Sequence, residues 1–373
     1  MRDIGIGIIG WGFMGKTHAH ALSDMALFYP GMGFRPVLQS VCAKHLENAL
    51  SAQEACGFAQ ATDDYRAVLD NPQVDVVSIS TPNEQHLQMA LDALHAGKHV
   101  YIDKPLALNA REAREILAAV NRSGRLLQVA QNNRFFPSTM RARQLIEAGK
   151  LGKILSFRFD YLHSGSVDPD RPVGWKQLPQ GGVLLDLASH AVDLLYFLVG
   201  DVDEVMCEAR TLYASRPTKA GERVNALAED QVVALIRLQN GALGTLEASK
   251  IATGTEDELS FSIHGTKGAL RWNLMQADYL DYFDGEAADQ PLGGTHGFTR
   301  IACVQRYAHP AGQFLPGKST IGWDRAHRHS YYCFLEAVAT GAAVSPDVRE
   351  ALRVQEILDG MRLAQKARNW VRV

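Results

Sequence analysis

Ile4-Gly5-Ile6-Gly7-Ile8-Ile9-Gly10-Trp11-Gly12-Phe13-Met14-Gly15 is the stretch on which the fold turns. Ile4–Ile9 is a short apolar run that reads as a strand ending in glycine, and residues 15–28 read as a helix. Between them, Gly10, Gly12 and Gly15 satisfy G-x-G-x-x-G, with Trp11, Phe13 and Met14 filling the spaces. The first glycine permits a tight turn and the second lets a pyrophosphate approach the backbone. The third lets the helix pack on the strand with its N-terminus facing the phosphates. Strand before and helix after give such a loop its meaning. Gly10, Gly12, Phe13, Met14 and Gly15 are therefore the expected cofactor-binding loop for a dinucleotide.

Downstream, strand-like and helix-like segments alternate. Val37–Cys42 reads as a strand and Leu46–Cys56 as a helix. Val74–Ile79 is a β-branched strand, followed by a helix over Glu84–Ala96 with Leu87, Leu91 and Leu94 at helical spacing. His99–Ile102 reads as a strand, Ala110–Asn121 as a helix with Asn109 and Glu112 as a capping box, and Leu126–Ala130 as a strand. This alternation implies parallel βαβ units with helices on both faces. After the second strand comes Ala43-Lys44-His45, with no carboxylate where one is expected to hold the ribose hydroxyls. A small residue followed by a base suits a 2′-phosphate, and Lys44 reads equally well as a solvated surface lysine. The cofactor is thus NAD or NADP, the preference open.

Beyond about residue 150 the pattern changes. Ile154–Leu162 reads as a strand and Leu185–Leu198 as a helix. Strands follow at Glu204–Leu212, Asp230–Leu238, Ala242–Ser249, Glu258–His264 and Ala269–Trp272. Gln239-Asn240-Gly241 and Gly265-Thr266-Lys267-Gly268 are hairpin signals, so this sheet is expected to be open and mostly antiparallel. Residues 284–322, rich in Gly and Pro, read as a long loop, and helices over His329–Thr340 and Val348–Ala367 close the chain. The expected class is α/β, an N-terminal Rossmann domain plus a C-terminal α+β domain. The expected boundaries are 1–131 for cofactor binding, 132–345 for substrate binding and oligomerisation, and 346–373 for a C-terminal helix packing back on the first domain.

Composition narrows the function. A 373-residue chain with 46% hydrophobic residues can bury two sizeable cores. A net charge of −3 lacks the broad basic field of a nucleic-acid binder, and no run of apolar residues is long enough to span a membrane. Met1-Arg2-Asp3 leads straight into the first strand and does not read as a signal peptide. Cys42, Cys56, Cys207, Cys303 and Cys333 contain no Cys-x-x-Cys pair, which points to reduced thiols in the cytoplasm. His18 and His20, or Asp186 with His190, are ligand types without a third partner at a diagnostic spacing, so no metal is expected; His18 reads as lying beside the cofactor or packing on the sheet.

Two further stretches carry a family resemblance. Residues 81–105 read Thr-Pro-Asn-Glu-Gln-His, a helix, then Ala-Gly-Lys-His-Val-Tyr-Ile-Asp-Lys-Pro. Residues 181–193 read Gly-Gly-Val-Leu-Leu-Asp-Leu-Ala-Ser-His-Ala-Val-Asp. With the glycine loop, and in this order over nearly the whole chain, they resemble the glucose–fructose oxidoreductase/inositol dehydrogenase family (Gfo/Idh/MocA). The resemblance implies a Rossmann domain for the nicotinamide cofactor, then an α/β domain whose open sheet makes oligomer contacts and whose helix carries catalytic side chains. It implies Lys104 as the lysine of a Glu-Lys-Pro signature, here with Asp103 in place of the glutamate. It also implies Asp186 and His190 as an Asp-x-x-x-His pair, and Thr81, Pro82, Asn83 and His86 as a cofactor-side loop. The motif at 181–183 lacks the third glycine common in the family.

Those residues suit hydride chemistry on a carbinol, which needs a proton acceptor at the oxygen and the C–H held against a nicotinamide. Asp186 and His190 are four apart, on one helical face, with Asp193 near it. The reading takes His190 as principal base, Lys104 as polarising the hydroxyl and Asp186 as positioning substrate, with the proton acceptor open between His190 and Lys104. Tyr161, His163, Trp175 and Lys176, and Trp323, Asp324 and His327 before the penultimate helix, are candidate substrate contacts. Arg134 is read either as a site residue or as a structural ion pair. The expected function is NAD(P)-dependent oxidation or reduction of a sugar, inositol or related polyol by a homodimer or homotetramer joined through the C-terminal sheet, with no nucleic-acid or membrane partner. A redox-neutral glycosidase retaining NAD, and a non-catalytic dinucleotide-binding regulator, are the alternatives.

Overall fold

A computed structural model describes residues 1–178 and 180–373. The chain divides into two units, Met1–Phe135 with Gln305–Gln355, and Phe136–Val304 with Glu356–Val373.

In the first unit the strands are β1 (Arg2–Ile9), β2 (Phe34–Cys42), β3 (Gln60–Thr62), β4 (Val76–Ile79), β5 (His99–Ile102) and β6 (Leu127–Val129). They pair in the order β3-β2-β1-β4-β5-β6, all parallel. This is the doubly wound order, whose ligand crevice lies where strand order reverses, at the carboxyl ends of β1 and β4. Ile4, Ile6, Ile8 and Ile9 are buried on both faces of the sheet, which is why β1 reads as an almost unbroken apolar run. The helices are α1 (Phe13–Ser23), α2 (Met25–Phe28), α3 (Leu46–Cys56), α4 (Tyr65–Asp70), α5 (His86–His95) and α6 (Ala110–Ser123). Asn109 caps α6, its side chain accepting from Glu112 N at 3.0 Å, while Glu112 accepts in return from Leu108 N. Short β3 and α4 escape the sequence reading because three and six residues carry no measurable period.

The second unit contains α7 (Pro137–Glu147), β7 (Ile154–Leu162), α8 (Ser189–Val199) and β8 (Val202–Arg210). A small ribbon, β9 (Ser215–Pro217) and β10 (Arg223–Asn225), follows. Then come β11 (Gln231–Leu238), β12 (Leu243–Ser249), β13 (Glu258–Gly265), β14 (Gly268–Asn273), β15 (Tyr279–Asp284) and β16 (Phe298–Ala302). The nine-stranded sheet has the order β16-β15-β14-β13-β7-β12-β11-β8-β17, where β17 is Val371–Arg372. Only the β7–β12 pair is parallel. The turns at 239–241 and 265–268 join antiparallel partners, as their sequences require. β16 falls inside the expected long loop at 284–322. It is held by backbone pairing to β15, its side chains mostly exposed, so it shows no apolar alternation to read. α8 packs on β7 and β12 on one face, while Met206, Val233, Leu235 and Leu243 stay exposed on the other.

α9 (Trp323–Thr340) belongs to the first unit, and α10 (Val348–Ala367) is divided between the two. α9 starts six residues before the helix read from sequence, capped at Gly322, because its first turn is polar and hides the apolar period. Trp323, Asp324 and His327 therefore lie in its opening turns, not before it. No helix among the described residues is long and apolar enough to cross a membrane.

Candidate active site

The glycine loop connects β1 to α1. Gly10 has φ +102°, a left-handed value that glycine alone adopts without cost. Its N–H donates to Cys42 O at 2.9 Å and its carbonyl accepts from Ser80 Oγ at 2.8 Å. A Cβ on Gly15 would lie 2.0 Å from Gly10 O, so only glycine lets α1 close onto this turn. A Cβ on Gly12 would meet nothing within 4 Å. Gly12 is also the N-cap of α1 and provides no side-chain acceptor for its first N–H groups. Open space above bare amide donors is what a pyrophosphate needs, and the loop fits one.

Aromatic rings surround this loop. Phe13 is 73% exposed and stacks on Trp323 at 5.7 Å, and Trp323 in turn meets His327 at 4.2 Å. His18 Nδ1 bonds Ser78 Oγ at 2.9 Å. Burial holds His18 down to about 4 and His327 well below its usual range, so both rings are neutral. Trp323 and His327, singled out from sequence as substrate contacts, thus stand with the cofactor loop in the first unit.

Ala43 is buried at the end of β2, its N–H donating to Thr62 O at 3.2 Å, and Lys44 is exposed. Asp63 and Asp64, just after β3, come close enough to reinforce burial in pushing the Cys42 thiol up to about 11. Carboxylates therefore stand near this strand end after all. The sequence reading missed them by looking only directly after β2.

The remaining first-unit residues form one connected loop system. His86 is fully buried, with Nδ1 2.8 Å from Pro105 O and Nε2 3.0 Å from Thr81 O. It ties the Thr81-Pro82-Asn83 loop to the Lys104-Pro105 loop. Burial lowers its pKa, against the pull of Asp103 and the two carbonyls. Asp103 Oδ1 accepts from Lys104 N at 2.8 Å, so the carboxylate that replaces a glutamate shapes the Lys104 turn itself. Arg134 is buried and pairs with Glu350 at 2.6 Å, which is the structural ion pair of the two readings.

In the second unit the chain enters α8 through Gly181 and Gly182. A Cβ on Gly181 would lie 2.5 Å from Lys176 Cα. Gly182 has φ +82°, and a Cβ there would lie 2.4 Å from Glu229 Oε1, which accepts from Leu184 N at 2.8 Å. Leu184–Ala188 then form a π-helical turn before α8 begins at Ser189. The regular helix expected from Leu185 is therefore wider at its start, and Asp186 sits in the widened turn, a departure that recurs at functional sites.

Asp186 is buried and held by two ammonium groups. Lys176 Nζ lies 2.9 Å from Oδ1 and 3.0 Å from Oδ2, and Lys250 Nζ lies 3.0 Å from Oδ2. Tyr161 donates to Asp257 Oδ1 at 2.7 Å, and its ring lies 5.7 Å from that of His190. Burial and the Asp257 charge raise Tyr161 well above its usual range, so it keeps its proton. His163 Nδ1 accepts from Gly165 N at 3.0 Å, which places the proton of the neutral ring on Nε2. Burial, then the Lys250 charge, holds it below its usual range. Trp175 is 41% exposed, with the Lys176 ammonium 5.7 Å over its ring. Asp193 is buried one turn beyond His190. The structure thus assembles Tyr161, His163, Lys176, Asp186 and His190, and adds Lys250 and Asp257. These two were not legible: a lysine and an aspartate at strand ends look like ordinary surface charges.

Known proteins resemble this chain over both of its units. Residues 4–131 match the model for an oxidoreductase family NAD-binding Rossmann fold (GFO_IDH_MocA), and residues 143–373 match the C-terminal alpha/beta domain of the same family. A levoglucosan dehydrogenase from Pseudarthrobacter phenanthrenivorans is 33% identical over 394 residues, covering 100% of this chain and 99% of that protein. The solved structure of a levoglucosan dehydrogenase in complex with NADH and levoglucosan superposes with a TM-score of 0.93 at 33% identity, over 100% of this chain and 99% of that one. A myo-inositol 2-dehydrogenase from Thermotoga maritima is 26% identical, covering 71% of this chain and 74% of that protein.

Proposed function

The chain belongs to the Gfo/Idh/MocA oxidoreductase family, and from that premise we propose that it is a nicotinamide-dependent dehydrogenase acting on a carbinol of an uncharged sugar, inositol or related polyol. The observation that carries the substrate class is the pairing of charge around Asp186. Lys176 and Lys250 both pair with the Asp186 carboxylate, and Asp257 accepts from Tyr161, so both lysines are engaged within the protein rather than left to select an acid or a phosphate. Relatives named for levoglucosan and for inositol fit the same class.

Gly10, Gly12, Phe13, Met14 and Gly15 would hold the pyrophosphate, with Ala43 and Lys44 toward the adenosine end and Thr81, Pro82, Asn83, His86, Asp103 and Lys104 on the nicotinamide side. The bound cofactor supplies the hydride acceptor or donor. His190 accepts the hydroxyl proton, Lys104 polarises the same oxygen, and Asp186 fixes the substrate's orientation. Tyr161 keeps its proton and braces the His190 ring, and His163 offers its Nε2–H to a substrate oxygen. Trp175 provides an apolar face for a sugar ring. Trp323 and His327, beside the cofactor loop, complete the proposed substrate contacts.

The apolar patch of Met206, Val233, Leu235 and Leu243 supports a homodimer or homotetramer formed through the sheet. Localisation in the cytoplasm rests on composition and cysteine usage. The test is absorbance at about 340 nm, where the reduced nicotinamide is seen, with NAD and NADP separately against levoglucosan, inositols and aldoses. Signal with one pair is expected, at least roughly 100-fold lower in Lys104→Met and in His190→Asn. Equal rates in both variants and wild type would overturn the assignment.

A further inference from the structure

We infer that Lys250 is a positioning residue for the reaction, holding Asp186 from the buried side while Lys176 holds it from the solvent side. The inference rests on the assignment of Asp186 and His190 to catalysis.

The two lysines are not equivalent. The Lys250 side chain is 5% exposed and that of Lys176 is 48% exposed. Lys176 comes from the turn over Trp175–Gln177 and can exchange its contact for water. Lys250 cannot, because its backbone is pinned on both sides. Its N–H donates to Asp230 O at 2.8 Å, and its carbonyl accepts from Ser166 N at 2.8 Å. The strand β12 delivers it there, with Ser249 accepting from His163 N at 2.9 Å.

An ammonium buried at such depth is expensive unless paired, and its 3.0 Å contact with Asp186 is the charge that compensates it. The pair is therefore a rigid anchor. It fixes which way the Asp186 carboxylate points within the π-helical turn, one turn ahead of His190. Lys250 also faces His163, along with Asp186, Asp257 and Lys176, and helps keep that ring neutral. One buried cation thus fixes the orientation of the positioning carboxylate and adds to the burial that keeps a neighbouring donor neutral. No property of the isolated sequence announces this, since Ser249-Lys250 is an ordinary strand end.

A double-mutant cycle with the full-length enzyme tests it. Lys250→Met is expected to lower kcat by roughly 100-fold with the affinity for reduced cofactor unchanged, and Lys250→Arg to restore it to within about tenfold. Because Lys250 acts through Asp186, Asp186→Asn with Lys250→Met should be no slower than Asp186→Asn alone, within about threefold. That double variant removes both charges at once and tests the inference even if Lys250→Met alone does not fold. The His163 imidazole, followed by NMR, should titrate at higher pH in Lys250→Met and at the wild-type pH in Lys250→Arg. Multiplying losses in the double variant, or a Lys250→Met enzyme within threefold of wild-type kcat, would overturn it. His190→Asn in the same assay separates the two levels. If His190→Asn is active, the catalytic assignment fails and the inference with it. If His190→Asn is inactive and Lys250→Met is active, only the inference fails.

Discussion

Gly181 packs directly against the backbone of Lys176: a Cβ at position 181 would lie 2.5 Å from Lys176 Cα and 2.6 Å from its carbonyl oxygen. The glycine that leads into the π-helical turn before α8 therefore also sets the height of the turn that delivers Lys176 to Asp186. Gly181→Ala must push that turn outward. We expect a loss of roughly tenfold or more in kcat/KM and about 1–3 kcal/mol of stability, the usual cost of forcing backbone apart. Steady-state kinetics and a denaturant titration check both numbers.

The glycine loop makes a contrast between two positions. Gly15→Ala drives a Cβ to 2.0 Å from Gly10 O and should cost both fold stability and cofactor affinity. Gly12→Ala meets nothing within 4 Å, so stability should stay within about 0.5 kcal/mol of wild type while cofactor binding weakens by roughly tenfold or more. Thermal melts alongside calorimetric titration of the dinucleotide separate the two effects. Equal affinities for Gly12→Ala and wild type would remove the loop from the binding site.

Buried histidines give the protein an acid limit. His18 ionises at about 4 and His329 at about 3 in the folded chain, both held down chiefly by burial. The unfolded chain protonates each near the ordinary histidine value of 6.5. Below that value the unfolded state holds more protons, so stability falls with falling pH, down to the folded values. Each imidazole contributes at most about 1.4 kcal/mol per pH unit in that window. The melting temperature should be lower at pH 5 than at pH 7, and the drop should be smaller in His18→Asn. A melting temperature flat across this range would contradict the neutral assignment of these rings.

Arg134 and Glu350 form a pair whose loss is asymmetric. Arg134 is 2% exposed and meets Glu350 at 2.6 Å. Arg134→Ala leaves the Glu350 carboxylate partly buried and without its cation, and should destabilise the fold by about 3 kcal/mol. Urea denaturation of Arg134→Ala, Glu350→Gln and the double variant should show the double variant less damaged than the sum of the singles.

Much of this architecture was legible in the sequence, and the reason is periodicity. β1 buries an almost unbroken run and α6 a regular stripe, Asn109 marks the start of α6, and the hairpin turns mark the ends of β11 and β13. β16 and the first turns of α9 were not legible, because their side chains face solvent or carry charge and leave no apolar rhythm. Within the site, the glycine loop could be read from its spacing and its flanking strand and helix, and the Gly181-Gly182 entry from the family resemblance. The π-helical turn at Leu184–Ala188, the Glu229 acceptor and the Lys250 anchor could not. Each depends on contacts between segments distant in sequence, and a single Lys or Glu at a strand end carries no mark of what it will meet.

Transfer of a hydride between a polyol carbon and a nicotinamide is the step on which every assignment above depends. The direct measurement is isotopic. Wild-type enzyme is incubated with oxidised cofactor and a polyol substrate deuterated at its carbinol carbons, and the reduced cofactor is isolated and weighed by mass spectrometry. Hydride transfer gives a reduced cofactor carrying a single deuterium atom from the substrate. Reduced cofactor without the label, or turnover of a glycoside with no reduced cofactor released at all, would contradict it.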